Sequence, residues 1–560
     1  MPLFAQSAIE LTELTPAPDW AIAERALLDE ASEAAGIFYN RYVDERGYLK
    51  CIERWGGNDG ADDAMENFEG WTLLYALGGD ETVLDLYEKA WEGHLKQFTA
   101  AKVPGIEMAE NGMYWREFVT SFDWEHTGEA LAAFHLYALA RPDDARFRDR
   151  VTRFADFYTG RDPQADNYDP EHRVIKSIHN GSRGAKLTPA AEMDWGGLPV
   201  EGAPERLTRY ATASKVRGDH PLNVATTALG FNAFLLTREA RFREWALDYL
   251  DAWRTRIYAA DGNIPTNIGL DGSIGGEWDG KWYRGVFGWD FDPASGSRNY
   301  FIRGPRIGFG IGLLLSGDRG YMEPLRRQIA NLYAAKRVEN GRTLLPRKHG
   351  DDGWYSYSPN EYLDVQRDIY LFTFDRTNLE GLSRDPWIQY LDGENPGYPA
   401  EALRGNIDGV RRRIEGIRAD KSVDFEWTSD YPQRFKAAQI DALVNLALGG
   451  NAPGSSGNIL HSRLFYLDPA RSRPGLPDDV AALVESITPE GVRVRLVNLD
   501  ASNAREVTVR AGAYGEHQFN KVNGAAADSN LLRVRLAPGA GGTLELGMKL
   551  FANAPTAPQP

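Results

Sequence analysis

Four stretches of the chain repeat one rhythm of apolar and polar positions: "YALGGDETVLDLYEKA", "YALARPDDARFRDRVTRFADFY", "FLLTREARFREWALDYLDAW" and "LLLSGDRGYMEPLRRQIANLY". Each closes an apolar helix with Leu and turns on Gly, Arg or Asp near Gly79, Pro142, Arg238 and Gly317. It then restarts with aliphatic and aromatic residues at i, i+3 and i+4, the pattern of a helix with one buried face. Such units are helical hairpins. Similar periodicity near Ala21 to Tyr42, Asn360 to Phe374, Ala400 to Ile417 and Gln433 to Leu448 raises the expected number to six or seven. A mainly α fold follows: an (α/α)6 or (α/α)7 toroid, whose inner helices are covered on every side, with an open helical solenoid as the alternative.

From about Asn458 the period shortens to two. "GVRVRLVNLD", "REVTVRAGAY", "LLRVRLAPG" and "GTLELGMKLF" alternate apolar and polar residues, and "DASN" and "APGAGG" supply turns between them. Half-buried antiparallel strands read this way, so a C-terminal β-sandwich is expected. The expected division is 1–457 toroid, 458–551 β-sandwich and 552–560 disordered tail.

Turns within the hairpins are short, but the connections between them are long: about Ala100 to Thr120, Gly160 to Gly218, Tyr258 to Asn299 and Val338 to Ser358. Loops of that length are uncommon in compact domains unless they serve a function. In a toroid they emerge on one rim, just before the inner helices begin. One of them contains "DGSIGGEWDGKWYRGVFGWDF", whose glycines permit tight turns and whose rings suit the wall of a cleft.

Composition narrows the functional classes. The 560 residues include 15 Trp, 25 Tyr and 24 Phe, a supply of flat faces that either fill a large core or stack on sugar rings. A net charge of −17 argues against a nucleic-acid partner, which needs a basic surface. It leaves an acidic small substrate open, because a cleft has its own local field. Cys51 stands alone, which excludes an intrachain disulfide and a cysteine zinc cage. No basic leader and no apolar run of membrane-spanning length are present, so neither a signal peptide nor a membrane partner is expected. The expected location is cytoplasmic, or secreted or periplasmic after removal of a signal. No cofactor and no metal are expected: "HNGSRG" lacks the lysine and hydroxyl residue of a phosphate loop, and no closely spaced histidine pair occurs.

The residues that open the inner helices should face a common centre. Taken in order they include Asp62, Asp63, Glu66 and Asn67; Glu125 and His126; His220 and Asn223; Tyr300, Arg303 and Arg306; and Tyr355, Tyr357, Asn360 and Glu361. Helix capping accounts for Asp62, Asp123, Asp219 and Ser358. His126, His220, Tyr300 and Arg303 are poor caps, so their convergence points to a site. A histidine beside a tyrosine and an arginine suits removal of the proton alpha to a carboxylate. Arg and Asn would neutralise the acid group while His and Tyr move protons, which is β-elimination at a uronic acid. Lys176, His179, Asn180, Arg183 and Lys186 add a basic cluster in the longest connection. A pair of carboxyls across a glycosidic bond is the alternative chemistry, with Asp63, Glu125, Asp194, Asp290, Asp292 and Glu361 as candidates.

"DGSIGGEWDGKWYRGVFG" resembles a glycine- and tyrosine-rich stretch of toroidal polysaccharide lyases of the hyaluronate and chondroitin type, with Tyr283, Gly285 and Gly288 at matching spacing. "DWEHTGEALAAFHLYAL" is similar to a helix start in the same enzymes. The resemblance implies that Tyr283 is the catalytic acid or base. It departs from the family in carrying Trp278 where a histidine stands five residues before that tyrosine, so the base would come from His220, His179 or His126. The wider likeness, a helical toroid followed by a β-sandwich, also resembles several glycoside hydrolase families.

The expectation is therefore an enzyme that cleaves an oligo- or polysaccharide by β-elimination. Tyr283, His220, Tyr300, His179 and Arg303 would be catalytic. Asn223, Arg183, His126, Glu125, Asn67, Tyr357 and Asp194 would bind substrate, with Trp278, Trp282 and Trp289 as stacking platforms and Trp195 a further candidate. A glycoside hydrolase using Glu125 with Asp194, Asp290 or Glu361 is the main alternative. A non-catalytic glycan-binding protein and a terpene-type small-molecule toroid are the others, the last disfavoured by the polar loops.

Overall fold

A computed structural model of the chain describes residues 9–52, 61–101, 128–163, 165, 167–176, 218–276, 278–284, 289, 301–454 and 458–559. Two kinds of helix alternate along it. Helices α1 (Asp19–Tyr42), α2 (Ala61–Glu66), α3 (Trp71–Leu77) and α4 (Glu81–Ala100) are followed by α5 (Ala132–Ala140), α6 (Ala145–Asp156), α7 (Thr227–Thr237) and α8 (Ala240–Ala259). Then come α9 (Arg303–Ser316), α10 (Glu323–Ala334), α11 (Leu363–Thr373), α12 (Pro386–Leu391), α13 (Tyr398–Ala419) and α14 (Asp441–Leu443), the last continued by a wider turn over Val444–Leu448. In α3 and α5 every side chain is buried, and in α7 nearly all are. A helix apolar all round must be enclosed. The intervening α4, α6, α8 and α10 bury one face each and form the outside.

The expected turns fall in place and show their chemistry. Gly78, Arg238 and Gly317 adopt left-handed conformations that end α3, α7 and α9. Asp80 and Asp144 then accept backbone N–H groups of the next helix, from Thr82 and from Arg146 and Phe147. Each such cap contributes about 1 kcal/mol. The packing runs in sequence: α3 on α5, α5 on α7, α7 on α9. Arg306 of α9 then reaches Asp364 and Asp368 of α11. On the outside α12 lies on α13, and α13 packs along the length of α1, which touches α3 and α4. The circuit therefore closes. Six outer and inner pairs occur among the described residues, an arrangement consistent with a toroid of helical hairpins.

The C-terminal region is rich in sheet. Strand β1 (Ile9–Leu11) belongs to it, lying parallel to a strand at Leu531–Leu536, and the five-stranded sheet continues through Arg505–Ala511, Leu464–Asp468 and Arg473–Pro474. A second antiparallel sheet of five strands has Val480–Thr488 at one edge, beside Gly491–Asn498 and Gly541–Lys549. Helix α1 covers that edge: Glu24 Oε1 accepts from the Ala482 N–H at 2.9 Å, and Arg25 donates to Val480 O. Residues of the expected tail hydrogen-bond to the turn between Arg505–Ala511 and Gln518–Val522, with the Thr556 N–H on Tyr514 O and Asn553 Nδ2 on His517 O. Part of the long connection after α10 is itself folded, as a three-stranded antiparallel sheet of Arg337–Glu339, Arg342–Gly350 and Gly353–Ser358.

Candidate active site

The N-terminal ends of the inner helices meet at one end of the ring, and ion pairs and hydrogen bonds record the meeting. Ahead of α3, Glu69 pairs with Lys436 at 2.8 Å and Asp63 accepts from Gln433 at 3.1 Å; both partners lie just before α14. Arg303 at the start of α9 donates to Glu129 just ahead of α5 at 3.0 Å. Close backbone approach brings α9 against the turn that precedes α7: a Cβ on Gly304 would sit 2.1 Å from the Pro221 carbonyl. His220 and Asn223 belong to that turn.

Glu66 sits within this group, half-buried at the end of α2. Burial raises its pKa above the ordinary carboxylate value; Lys436, a Gln433 hydrogen bond and Arg303 oppose the rise, and Glu69 adds to it. Inner helices α3 and α9 occupy opposite places in the circuit, so Glu66 responds to Arg303 across the mouth. A carboxyl whose charged form burial disfavours, at the same mouth as a second carboxylate held by an arginine, offers a proton donor on one side and a charged acceptor on the other. Among the described residues no group of His, Cys, Asp and Glu side chains is arranged to hold a metal ion. A cavity of about 450 Å³ between α4 and α6, lined by Arg46, Trp91, Glu92, Phe134, Tyr137 and Arg150, opens on the outer surface and not at this mouth.

The residues expected from sequence fall into three groups. His220, Asn223 and Arg303 are brought together at the mouth. His220 is buried, and Asn223 donates to Asp219 at 2.9 Å. Asn67 is placed there too, but its amide donates to the carbonyls of Asp63, Ala64 and Ser429 and serves the backbone, which corrects its expected role in binding substrate.

A second group surrounds the aromatic turn. The Tyr283 hydroxyl donates to Asp351, which also receives Lys281 at 2.6 Å and Arg284 at 3.5 Å. The Trp282 ring lies 4.8 Å from His349 and 6.1 Å from Trp354. Tyr357 carries the Arg337 guanidinium 3.9 Å above its ring. Trp289 is no platform: it is fully buried, its ring meets Phe301 at 3.6 Å and its Nε1 donates to Ile264 O. Trp278 is also buried, so of the three tryptophans Trp282 alone keeps a partly open ring. The third group, Tyr300, His179, His126, Glu125, Arg183 and Asp194 with Trp195 and Asp290, lies outside the described residues. Glu361 is described; its carboxylate receives Tyr333 at 2.8 Å and Arg384.

Sequence reasoning passed over Glu69, Glu129, Gln433 and Lys436. Glu129 stands in "EHTGEA", one turn into a pattern already marked as a helix start, and Gln433 and Lys436 lie in a segment taken for helix. Their position ahead of an inner helix was the available signal.

A family model covers residues 9–371 and 364–444. The chain belongs to that family, described as a domain of unknown function, DUF8034. No curated protein matches it. Among solved structures, an inactive variant of the α-1,6-mannanase GH76A of Salegentibacter sp., in complex with α-1,6-mannotriose, is 12% identical. It covers 76% of this chain and 99% of its own, with a TM-score of 0.35. A sugar epimerase from a ruminal bacterium is 12% identical over 73% of this chain and 96% of its own, TM-score 0.37. Cellobiose 2-epimerase from Bacillus thermoamylovorans is 10% identical over 71% and 94%, TM-score 0.36. At these scores substrate and reaction rest on the site alone. No helix among the described residues is long and apolar enough to cross a membrane.

Proposed function

We propose that this DUF8034 chain is a carbohydrate-active enzyme that hydrolyses a glycosidic bond at the mouth of the helical ring. The observation that carries the proposal is Glu66: a half-buried carboxyl with a raised pKa, facing Arg303 and its partner Glu129 across the mouth. Glu66 gives its proton to the leaving oxygen as the bond to the anomeric carbon breaks. Glu129 takes a proton from the water that adds to that carbon, so atoms and charge balance. Partly open rings of Trp282, Tyr283 and Trp354, with Tyr355 39% exposed, supply faces for sugar stacking beside the ring. In this reading residues 1–457 form the catalytic domain, with Ile9–Leu11 lent to a β-sandwich of residues 458–551.

β-Elimination at a uronic acid is the second reading, favoured by the adjoining placement of His220 and Arg303. There His220 would remove the proton alpha to the carboxylate, Arg303 would neutralise the acid group and Tyr283 would protonate the leaving oxygen. A panel of neutral and uronate-containing oligosaccharides decides between them, followed by reducing-end release and by the ultraviolet absorbance of an unsaturated uronate. Reducing ends without absorbance, lost in Glu66→Gln, are expected. New absorbance that survives Glu66→Gln and disappears in His220→Ala would overturn hydrolysis. Saturable binding with no product would leave a glycan-binding protein.

A further inference from the structure

Beneath the mouth lies a carboxylate that neither scheme uses. Asp219 is fully buried, and each of its oxygens is fully engaged. Oδ1 accepts the His220 N–H at 2.8 Å and Asn223 Nδ2 at 2.9 Å. Oδ2 accepts the Ile175 N–H at 3.1 Å and the Tyr249 hydroxyl at 2.9 Å. The backbone of Asp219 exchanges hydrogen bonds with Ile268, its N–H to Ile268 O at 2.7 Å and the Ile268 N–H to its own O at 2.8 Å, and Ile268 is bridged in turn to Ile274.

The side chain thus joins three pieces of the molecule, the strand pair at Tyr168–Asp169 and Val174–Ile175, the turn carrying His220 and Asn223, and outer helix α8 through Tyr249; the backbone of the same residue adds the segment leading into the aromatic turn. The preceding residue is suited to this junction. Gly218 has φ +116°, and a Cβ there would lie 2.0 Å from the Ile268 carbonyl. Helix capping does not describe this arrangement, since the six-residue turn from Pro221 has His220 at its cap position and receives no side-chain cap.

We propose that Asp219 is a positioning residue: a buried four-donor node whose side chain sets His220 and Asn223 at the ring mouth, while its backbone ties the segment leading into the aromatic turn to them. Its effect on catalysis rests on the mouth being the reaction centre, as argued above; its effect on the loops does not. Carboxylate geometry is required, because both oxygens must accept. Asparagine can satisfy one side only and presents N–H groups to the donors of the other. A buried donor left without an acceptor opens the segment that carries it.

Amide hydrogen exchange on the full-length chain, without any sugar, is the first test. In Asp219→Ala the amides of Ile175 and His220, which lose their acceptor, should exchange at least tenfold faster and together, with those of α9 and the β-sheets unchanged. Asp219→Asn should be intermediate. Tyr249→Phe, which removes one donor from Oδ2, should leave the His220 amide protected. Uniformly faster exchange across the chain, unchanged exchange, or a Tyr249→Phe variant as loose at His220 as Asp219→Ala would each overturn the node. On the oligosaccharide cleaved in the panel above, Asp219→Asn should lower kcat tenfold or more with KM within threefold. An unchanged kcat in a variant with loosened amides would remove the positioning role. If the wild-type chain cleaves nothing in that panel, the hydrolytic reading fails, and the exchange result still decides the node.

Discussion

Glu66 and Asp351 are built from the same parts and behave in opposite ways. Each acid has a lysine and an arginine for company, Lys436 and Arg303 for one, Lys281 and Arg284 for the other. Burial dominates at Glu66 and lifts its pKa despite both cations. At Asp351, on the open surface, hydrogen bonds from Lys281 and then Tyr283, followed by the two positive charges, bring the pKa down to about 2. Access of water to the carboxylate, more than the count of neighbouring cations, separates an acid held above its ordinary pKa from one that serves as a surface clasp.

The comparison can be broken most directly with two isosteric changes. Glu66→Gln should lower the rate of glycan cleavage by about 10²- to 10⁴-fold, the range for loss of a general acid, with an unchanged thermal midpoint. Asp351→Asn should act on KM alone and only by about threefold, as expected for an exposed contact. Similar losses in the two variants would sink the distinction.

The same contrast applies to the tryptophans beside Asp351. Urea unfolding should show Trp289→Ala destabilised by about 3–5 kcal/mol, as for a fully buried aromatic residue, and Trp282→Ala by less than half of that.

Glu24 carries the effect of burial further, since desolvation in the α1–sheet contact raises its pKa to about 8 against the Ala482 hydrogen bond and the charge of Arg25. A raised folded-state pKa means that the folded protein holds the proton more tightly than the unfolded chain. Its stabilising contribution is therefore full below about pH 4.5 and is lost as pH rises through about 8. Relative to Glu24→Gln, wild-type stability should fall over that window by a few kcal/mol on the order-of-magnitude scale of linkage. A flat difference would show that the carboxyl is solvated. Asp351 should give the smallest response. Its depressed pKa contributes stability above the ordinary carboxylate value, lost only as pH falls towards 2, so wild type and Asp351→Asn should keep a constant difference from pH 5 to 8.

The hairpins were legible because local chemistry specifies them. Leu runs ending at Gly78, Arg238 and Gly317, then an aspartate cap or an amphipathic helix, recur at regular intervals. The strands Gly491–Asn498, Arg505–Ala511 and Leu531–Leu536 were legible for the same reason, since their side chains alternate. Leu464–Asp468 did not announce itself: both faces are buried, so its pattern is continuous. Nor did Ile9–Leu11, three residues whose partner is more than five hundred positions away.

At the site, the end of the ring was readable and the distribution of roles was not. Arg303 and His220 were found as poor caps. Glu129 escaped because a glutamate at a helix start looks ordinary until Arg303 is seen beside it. Trp289 was misread because composition cannot tell a ring stacked on Phe301 in the core from one open to a sugar.

The parallel strand at Ile9–Leu11 also bears on the order in which the chain is made. Its hydrogen-bonding partner, Leu531–Leu536, emerges from the ribosome more than five hundred residues later, and α13, against which α1 closes the circuit, emerges only after some four hundred residues. The strand at Ile9–Leu11 must therefore wait with its edge unpaired while more than five hundred further residues are made, and closure of the ring and completion of the sheet come long after it emerges.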